Sequence, residues 1–287
     1  MEKTKESFRE KAVEKSPRKV DPNKRANELQ GKQWLQNSIS VWSDISKDGE
    51  ERGLGHPAMF PWKLAARVIE TFCKPTMTSV IDPFIGSGST LVACQHLGKQ
   101  GTGIDISREY LNLAERRLSE IAKPKKHKHR LIHDSSESAL TKLSSSSFDM
   151  CFTSPPYWDI LSQRRTADGK GIKDYARKNE NLSNIDDYDV YLLKMQSIFK
   201  EVHRVLRPGS YCVVNVMDIR KKSTFYPLHQ DLSDALVEIG FNLDDIIIWD
   251  RRKDYNFLRP LGYPYVFRVN KVHEFLLIFQ KTIKTGE

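Results

Sequence analysis

The stretch TSVIDPFIGSGST, residues 78–90, passes from an apolar β-branched run through a glycine-rich loop into a second apolar segment. The first part predicts a buried strand over 78–84, and the last part begins a helix predicted over 89–98. A strand that turns through glycines into a helix is typical of a doubly wound α/β fold. In such a turn Gly86 and Gly88 direct backbone amides at a ligand from the helix N-terminus, which binds carboxylates and phosphates equally well.

The rest of the chain continues this alternation of short apolar runs and amphipathic stretches from about residue 34. The pattern predicts an α/β fold, with a seven-stranded, mostly parallel sheet and helices on both faces. About 22 residues containing GYP separate the last two strands, too few for a helical crossover, so the final strand is predicted to be antiparallel. The predicted strands cover 78–84, 101–106, 130–134, 148–154, 210–217, 242–250 and 273–280. The predicted helices cover 62–73, 89–98, 107–121, 186–206 and 228–239.

The charge balance favours a polyanionic partner. Of 287 residues, 46 are Lys or Arg and 37 are Asp or Glu, which gives a net charge of +9. Such an excess is typical of proteins that bind nucleic acid. Residues 1–33 are dense in Lys, Arg and Glu and nearly free of large apolar side chains, so we predict a disordered or loosely helical basic arm before a single folded domain over 34–287. The arm is either a solvated tail or a segment that contacts phosphates.

Cysteine usage and hydropathy predict a cytoplasmic protein with no membrane partner. No apolar run approaches the length of a membrane span, and the N-terminus lacks the apolar segment of a signal peptide. The cysteines do not have the spacing of zinc ligands, so we predict no metal site and expect them to be reduced core residues. They are scattered singly in apolar contexts, as Cys73, Cys94, Cys151 and Cys212.

Acidic residues end the two strands that follow the glycine loop. Asp105 comes about 17 residues after Gly88, at the end of the next predicted strand, where it is placed to accept hydrogen bonds from two ribose hydroxyls. Asp134 ends the third strand. The loop is not GxGxxG, and no GKS or GKT follows it, which weakens the dinucleotide and triphosphate interpretations. These strand ends therefore predict a site for a nucleoside.

The fourth predicted strand ends in TSPPYW, residues 153–158. Pro155 and Pro156 cannot donate to a sheet ladder, so they are predicted to form a stiff extended turn beyond the strand, with carbonyls free to accept. Tyr157 and Trp158 are then expected at the rim of a cleft, with flat apolar faces and polar tips. Such a corner is a suitable seat for a planar ligand that carries an amine.

Four segments together resemble the amino-methylating S-adenosylmethionine-dependent DNA methyltransferases, in particular the N4-cytosine type, over about residues 36–281. The segments are GHPAMFPWKLAARVIE (55–70), DPFIGSGST (82–90), TSPPYW (153–158) and KVHEFLLIFQK (271–281). The resemblance implies a Rossmann-like methyltransferase fold, S-adenosylmethionine as cofactor and DNA as partner. It also allows for a cognate restriction endonuclease. The reaction implied is direct in-line methyl transfer to the exocyclic amine of a flipped base.

The resemblance, together with the strand-end positions, assigns roles to individual residues. Ser154 Oγ and the Pro155 carbonyl are expected to accept the two amino hydrogens, and Tyr157 to stack on the base. The predicted catalytic set is Ser154, Pro155, Pro156 and Tyr157. The predicted cofactor set is Phe60, Asp82, Phe84, Gly86, Gly88, Asp105, Ile106 and Asp134. The predicted DNA contacts are Trp158, Arg164, Arg165, Lys170, Lys173, Arg251 and Arg252.

The order of the segments differs from that of many relatives with this tetrapeptide, which place the catalytic half before the cofactor half. Here the cofactor segments come first, and no sizeable insertion for target recognition is visible. Recognition is therefore predicted to come from two loops, about 159–185 and 251–270, and both are rich in Arg and Lys. A circular change of order leaves the folded site unchanged.

The tetrapeptide favours cytosine without excluding adenine. The family commonly has SPPY in cytosine enzymes and DPPY in adenine enzymes, although some adenine enzymes share SPPY. N6-adenine methylation, RNA amino methylation and a non-catalytic nucleic-acid-binding relative stay open as alternatives. Methylation of ring carbon is disfavoured, because Cys151 lies inside a predicted strand before the prolines, where a thiol is buried and inert.

Overall fold

The computed structural model describes residues 21, 24–54, 59–122, 128–158, 182, 185–255, 258 and 260–283. Its strands are β1 (Val41–Trp42), β2 (Ser79–Asp82), β3 (Gln100–Asp105), β4 (Arg130–His133), β5 (Phe148–Thr153), β6 (Leu206–Val216), β7 (Ile219–Lys221), β8 (Thr224–Tyr226), β9 (Phe241–Asp250) and β10 (His273–Lys281). Its α-helices are α1 (Gly31–Asn37), α2 (Gly49–Gly53), α3 (Trp62–Phe72), α4 (Ser89–Leu97), α5 (Arg108–Glu120), α6 (Ser136–Thr141), α7 (Tyr188–Val205) and α8 (Leu228–Glu238).

Within the described ranges, eight strands form one sheet in the order β4-β3-β2-β5-β6-β10-β9-β1, and β7 and β8 form a separate hairpin. Strand β10 is antiparallel to both neighbours, whereas the other pairs of the large sheet are parallel. The α/β fold, the seven predicted strands and the antiparallel final strand are confirmed. The eighth strand, β1, has two residues and pairs with β9, and so short a segment has no periodic pattern to detect.

The sheet is covered on both faces, and β5 shows why. Every residue of β5 is buried, and alternate side chains point to opposite faces. Cys151 belongs to the core cluster that α6, α7 and α8 cover, whereas Met150 and Phe152 belong to the cluster that α3 and α4 cover. A strand buried on both faces reads as a continuous apolar run, which explains why FDMCFT is recognisable in the sequence.

The described part of the predicted N-terminal arm is docked on the domain, so the boundary at residue 33 is wrong. Asn27 is buried and donates from its side-chain amide to the Thr71 carbonyl at 2.9 Å, and Leu29 is buried beside it. Helix α1 follows, and Asn37 at its end donates to the Thr71 hydroxyl at 3.0 Å. Residues 1–20 and 22–23 lie outside the described residues. The folded region therefore begins before residue 34.

All four cysteines are free and buried, which confirms their prediction as core residues. Among the residues that the structure describes, none belongs to a helix both long and apolar enough to span a bilayer.

The parallel strands β2, β3, β4 and β5 are neighbours in the sheet, so their carboxyl ends share one edge. Asp82 ends β2, Asp105 ends β3, Asp134 follows β4 and Thr153 ends β5. The fold thus brings residues from four separate segments to one edge of the sheet.

Candidate active site

The glycine loop joins β2 to α4 and leaves the first amides of that helix without a side-chain cap. Gly88 precedes the helix with φ of +90°, in the left-handed region that glycine adopts without strain. A Cβ at this position would lie 2.7 Å from Ala114 Cβ on α5. Only glycine therefore fits between the loop and α5. Gly86 also has a positive φ, of 49°.

Asp105 is tied to this loop by its carboxylate. One oxygen accepts from the Gly86 amide at 2.9 Å, and the other accepts from the Ser107 amide at 2.8 Å. Burial raises the pKa of this carboxyl above its ordinary value. Because each carboxylate oxygen accepts two hydrogen bonds, both retain capacity for a further donor such as a ribose hydroxyl. Ile106, next in the chain, accepts from His133 Nε2 through its carbonyl.

Asp82 connects the glycine loop to the end of β5. Its carboxylate is buried and accepts from the Phe84 amide at 3.0 Å, the Thr90 hydroxyl at 2.6 Å and the Thr153 hydroxyl at 2.6 Å. Thr153 immediately precedes Ser154. One buried carboxylate therefore joins the glycine loop, α4 and the residue that precedes the serine-diproline corner. The Asp82 side chain is fully buried in the protein.

The remaining predicted cofactor residues surround the same edge. Asp134 is half-buried and accepts from Lys142 Nζ at 2.7 Å, and this partner lowers the pKa of its carboxyl. Phe84 is half-buried beside Asp82. Phe60 is buried with its ring edge-on to Phe152, at 5.0 Å between centroids.

At the corner itself, Ser154 and Tyr157 are linked to two polar residues of neighbouring strands. The Ser154 hydroxyl lies 3.1 Å from the Tyr157 hydroxyl, which donates to Glu274 of β10 at 3.2 Å. Asn215 of β6 donates to the same carboxylate. Glu274 also forms an ion pair with Arg251. The corner follows β5 and the glycine loop follows β2, and these two strands are paired in the sheet.

A family model described as DNA methylase, N6_N4_Mtase, matches residues 1–116 and 148–286 of this chain. The chain belongs to the DNA methylase family. Curated relatives include the type II methyltransferases M.ScaI from Streptomyces caespitosus and M.MthZI from Methanothermobacter thermautotrophicus. M.ScaI is 35% identical over 104 residues, which cover 34% of this chain and 34% of that protein. M.MthZI is 28% identical over 157 residues, which cover 50% of this chain and 42% of that protein. The chain thus spans 34% and 42% of the length of these two relatives.

Solved structures that match this chain include TTHA0409 from Thermus thermophilus in complex with S-adenosyl-L-methionine. It is 24% identical, covers 53% of this chain and 55% of that chain, and has a TM-score of 0.38. A SAM-dependent methyltransferase from Methanosarcina mazei is 18% identical, covers 72% of this chain and 93% of that chain, and has a TM-score of 0.46.

The structure corrects the prediction for Trp158. The indole is buried, and its ring packs edge-on against Tyr188 and Tyr226 at 5.2 and 5.0 Å between centroids. Lys221 lies 4.1 Å above it. Trp158 therefore belongs to the core below the corner and does not lie at the rim of a cleft. The residues that bury the indole lie on α7 and β8, which are distant from Trp158 in the sequence, so the sequence around Trp158 does not predict its burial.

The prediction of free carbonyls in the diproline turn is wrong for Pro156. Its carbonyl accepts from the Tyr191 hydroxyl of α7 at 2.8 Å and from the Trp158 amide at 3.0 Å. The first of these bonds anchors the turn to α7. Pro155 is buried, and Tyr157 is half-buried beside it.

Of the predicted DNA contacts, Arg251 proves to be an internal partner. It pairs with Glu274 and Asp254, and its guanidinium lies 4.9 Å from the Trp249 ring. Its side chain is 19% exposed, so it is not a free cation at the rim. Arg252 pairs with Asp250 but is 72% exposed, and it stays a predicted contact. The other four predicted cations lie outside the described residues, namely Arg164, Arg165, Lys170 and Lys173.

Sequence reasoning missed Asn215, Glu274 and a buried pair that supports the glycine loop. Arg117 of α5 donates to the Ser87 carbonyl at 2.8 Å and to the Ser89 hydroxyl at 3.2 Å, and it pairs with Glu51 of α2 at 3.1 Å. For two of these residues the sequence does contain a sign of a functional role, namely a charged or amide side chain inside an otherwise apolar strand. Glu274 interrupts HEFLLIF, and Asn215 interrupts YCVVNVM.

We expect Glu51→Gln to lower the free energy of unfolding by about 1.5–3 kcal/mol, because it removes the charge that pairs with the buried Arg117. Glu137→Gln is the matched control, since Glu137 pairs with Lys194 on the surface, where both side chains are about half exposed. The control should cost at most about 1 kcal/mol. Urea unfolding measures both variants, and equal losses would contradict a structural role for the buried pair.

The buried Asp82 predicts a pH dependence of stability. Burial raises its pKa to about 6, from 3.8 when unfolded, so the native state binds its proton more tightly. The resulting stabilisation is complete below pH 4 and is lost as the pH rises through 6. Relative to Asp82→Asn, the wild type should therefore lose about 3 kcal/mol of unfolding free energy between pH 3.5 and 7. Urea unfolding at several pH values tests this, and a constant difference would contradict it.

Proposed function

We propose that this DNA methylase transfers the methyl group of S-adenosylmethionine to the exocyclic N4 amine of a cytosine in DNA. The observation that carries the proposal is the Asp82 carboxylate, which binds both the glycine loop, through the Phe84 amide, and the end of β5, through Thr153. A cofactor site and an amine site on adjacent strand ends are what methyl transfer between two bound ligands requires.

The glycine-loop half fits the cofactor by the chemistry of its groups. The first amides of α4 and the positive end of the helix suit the methionine carboxylate. Asp105 retains acceptor capacity for the ribose hydroxyls, and Asp134 is proposed to accept from the adenine amino group. Phe60, Phe84 and Ile106 are proposed to supply apolar contacts along the same edge. S-adenosylmethionine supplies an electrophilic methyl group on a sulfonium.

The corner half suits an exocyclic amine. The amino nitrogen of cytosine has its lone pair delocalised into the ring. Hydrogen-bond acceptors at Ser154 Oγ and the Pro155 carbonyl bind the two amino hydrogens and turn the lone pair out of the ring plane. The main catalytic contributions are then positioning and electrostatic orientation. A strong general base is not needed before attack, because the amine loses its proton only as nitrogen gains positive charge.

The target base lies in the stack of duplex DNA, so we propose that it is flipped out, at a cost of a few kcal/mol. The half-buried Tyr157 ring is the proposed stacking surface for it. The loop between β9 and β10 is proposed to contact DNA, since it carries the exposed Arg252 and a turn with exposed aromatic side chains. In that turn, Tyr263, Tyr265 and Phe267 are 77%, 91% and 89% exposed. Exposed aromatic rings beside cations suit nucleic-acid bases and phosphates.

The choice of cytosine over adenine rests on Ser154 in the SPPY tetrapeptide, and N6-adenine methylation is the second candidate. The name of the matching family model covers both amines. The test incubates the protein with labelled S-adenosylmethionine and either unmethylated genomic DNA or RNA, and then identifies the labelled nucleoside after digestion. N4-methylcytosine supports the proposal. N6-methyladenine, a methylated ribonucleoside or no label contradicts it, and each points to a different alternative.

A further inference from the structure

Two polar residues lie in otherwise apolar, buried strands beside the catalytic corner. Glu274 of β10 is 4% exposed and Asn215 of β6 is 1% exposed. Burying an ionisable or amide side chain is costly unless it is bound by partners. Asn215 pairs across the sheet with Leu276, two residues from Glu274, so both side chains point to the same face. That face also carries the hydroxyls of Ser154 and Tyr157.

The donors and acceptors in this cluster fix the direction of its hydrogen bonds. An ionised carboxylate has no proton to donate, so Tyr157 donates its hydroxyl proton to Glu274, at 3.2 Å. The Tyr157 oxygen is then left as the acceptor for Ser154, at 3.1 Å. With its only proton directed at Tyr157, Ser154 can act on any further partner only as an acceptor, through the lone pairs of Oγ.

The geometry points to Glu274 as a positioning residue that acts through Tyr157 to fix the Ser154 hydroxyl as a hydrogen-bond acceptor for the substrate amine. This inference rests on the proposed function and adds a role for Glu274 and for the Tyr157 hydroxyl, as distinct from its ring. An amine that must be held by its hydrogens needs an acceptor, and a serine hydroxyl left to rotate offers a donor equally well.

Charged neighbours surround the Glu274 carboxylate. Arg251 pairs with its other oxygen and stacks on the Trp249 ring of β9. Lys47 and Asp254 also face this cluster electrostatically. Burial and the neighbouring Glu274 raise the pKa of Tyr157 well above its ordinary value, so the phenol keeps the proton that it donates.

Asn215 binds the same carboxylate through its amide nitrogen, whereas its carbonyl oxygen has no hydrogen-bond partner among the described residues. Its amide nitrogen donates to Glu274 and lies 3.5 Å from both Ser154 Oγ and the Tyr157 hydroxyl. Its carbonyl oxygen is buried. A buried acceptor without a partner costs stability, so this arrangement of Asn215 is not explained by stability alone.

The test measures single-turnover methyl transfer to unmethylated genomic DNA and the Kd for S-adenosylmethionine. Tyr157→Phe keeps the ring and the Arg251–Glu274 pair but removes the hydroxyl that joins Ser154 to Glu274. Glu274→Gln keeps that hydroxyl but removes the charge of the carboxylate to which it donates. We expect each to lower the transfer rate about 10²-fold, with the cofactor Kd within about threefold. Because both act on one chain of bonds, the double variant should be no slower than the slower single variant, within about threefold. The matched control is Tyr211→Phe. Tyr211 lies in the middle of β6, its hydroxyl donates to Asp244 of β9, and the rate of this variant should not change.

Three results would overturn the inference. Wild-type rates in both variants would show that methyl transfer does not depend on the orientation of the Ser154 hydroxyl by Tyr157 and Glu274. Multiplicative losses in the double variant, or losses matched by weaker cofactor binding and a lower Tm, would show that Glu274 only supports the fold. If the wild type transferred no methyl group to DNA in the same assay, the proposed function would fail and the inference with it, a result distinct from the other two.

Discussion

Ser154→Ala is expected to lower the single-turnover rate of methyl transfer about 10²–10³-fold while the Kd for S-adenosylmethionine changes less than about twofold. The loss is that of one preorganised polar group aimed at the reacting centre. Ser154 directly follows β5, which pairs with β2, the strand that leads into the glycine loop. Rapid-quench measurement of labelled DNA gives the rate, and calorimetric titration gives the affinity.

Ser119→Ala is the control for this substitution. Ser119 is an exposed serine near the end of α5, and its hydroxyl donates to the Arg116 carbonyl within the same helix. Its rate should equal that of the wild type. A Ser154→Ala variant that also kept the wild-type rate would remove Ser154 from the mechanism, whereas a loss confined to cofactor affinity would move it to the cofactor site.

Asp105→Ala is expected to weaken cofactor binding more than it lowers the rate of methyl transfer, the opposite of Ser154→Ala. It should weaken S-adenosylmethionine binding at least about 10²-fold, since two hydrogen bonds to a charged group are worth about 1.5–3 kcal/mol each. The rate at saturating cofactor should fall less than about tenfold. The variant also frees the Gly86 and Ser107 amides, which are bound by the carboxylate. Titration calorimetry with the cofactor, and with adenosine alone, locates the loss on the nucleoside.

Asp234→Ala serves as the matched control, because Asp234 is an exposed carboxylate on α8, far along the chain from the glycine loop. Its cofactor affinity should not change. If Asp105→Ala bound adenosine as tightly as the wild type, the carboxylate would be a support for the loop alone, and the ribose would have to be held elsewhere.

Much of the fold could be predicted because its elements are encoded locally. The five predicted helices and seven predicted strands match the structure because each has an apolar period that its own residues define. Ser107 caps α5 with its hydroxyl, which accepts from the Tyr110 amide. The strand-end carboxylates were also predictable, since parallel strands place their carboxyl ends at one edge whatever the details of packing.

The errors concern residues whose partners are distant in sequence. Trp158 follows two prolines and gives no local sign of burial, which depends on Tyr188 and Tyr226, 30 and 68 positions later. Arg251 looks like any exposed cation until Glu274, 23 residues on, pairs with it. Asn27 docks the N-terminal segment through a bond that spans 44 residues. Local composition carries no information on such contacts.

A crystal structure with sinefungin tests most directly whether the cofactor site faces the serine-diproline corner. In this analogue of S-adenosylmethionine a carbon that bears an amine replaces the sulfur that bears the methyl group. We expect ribose hydroxyls on Asp105, the carboxylate at the start of α4, and the amine within about 2.6–3.2 Å of an acceptor at the serine-diproline corner, Ser154 Oγ or the Pro155 carbonyl. An analogue bound with its amine directed away from Ser154 and Tyr157 would contradict this expectation.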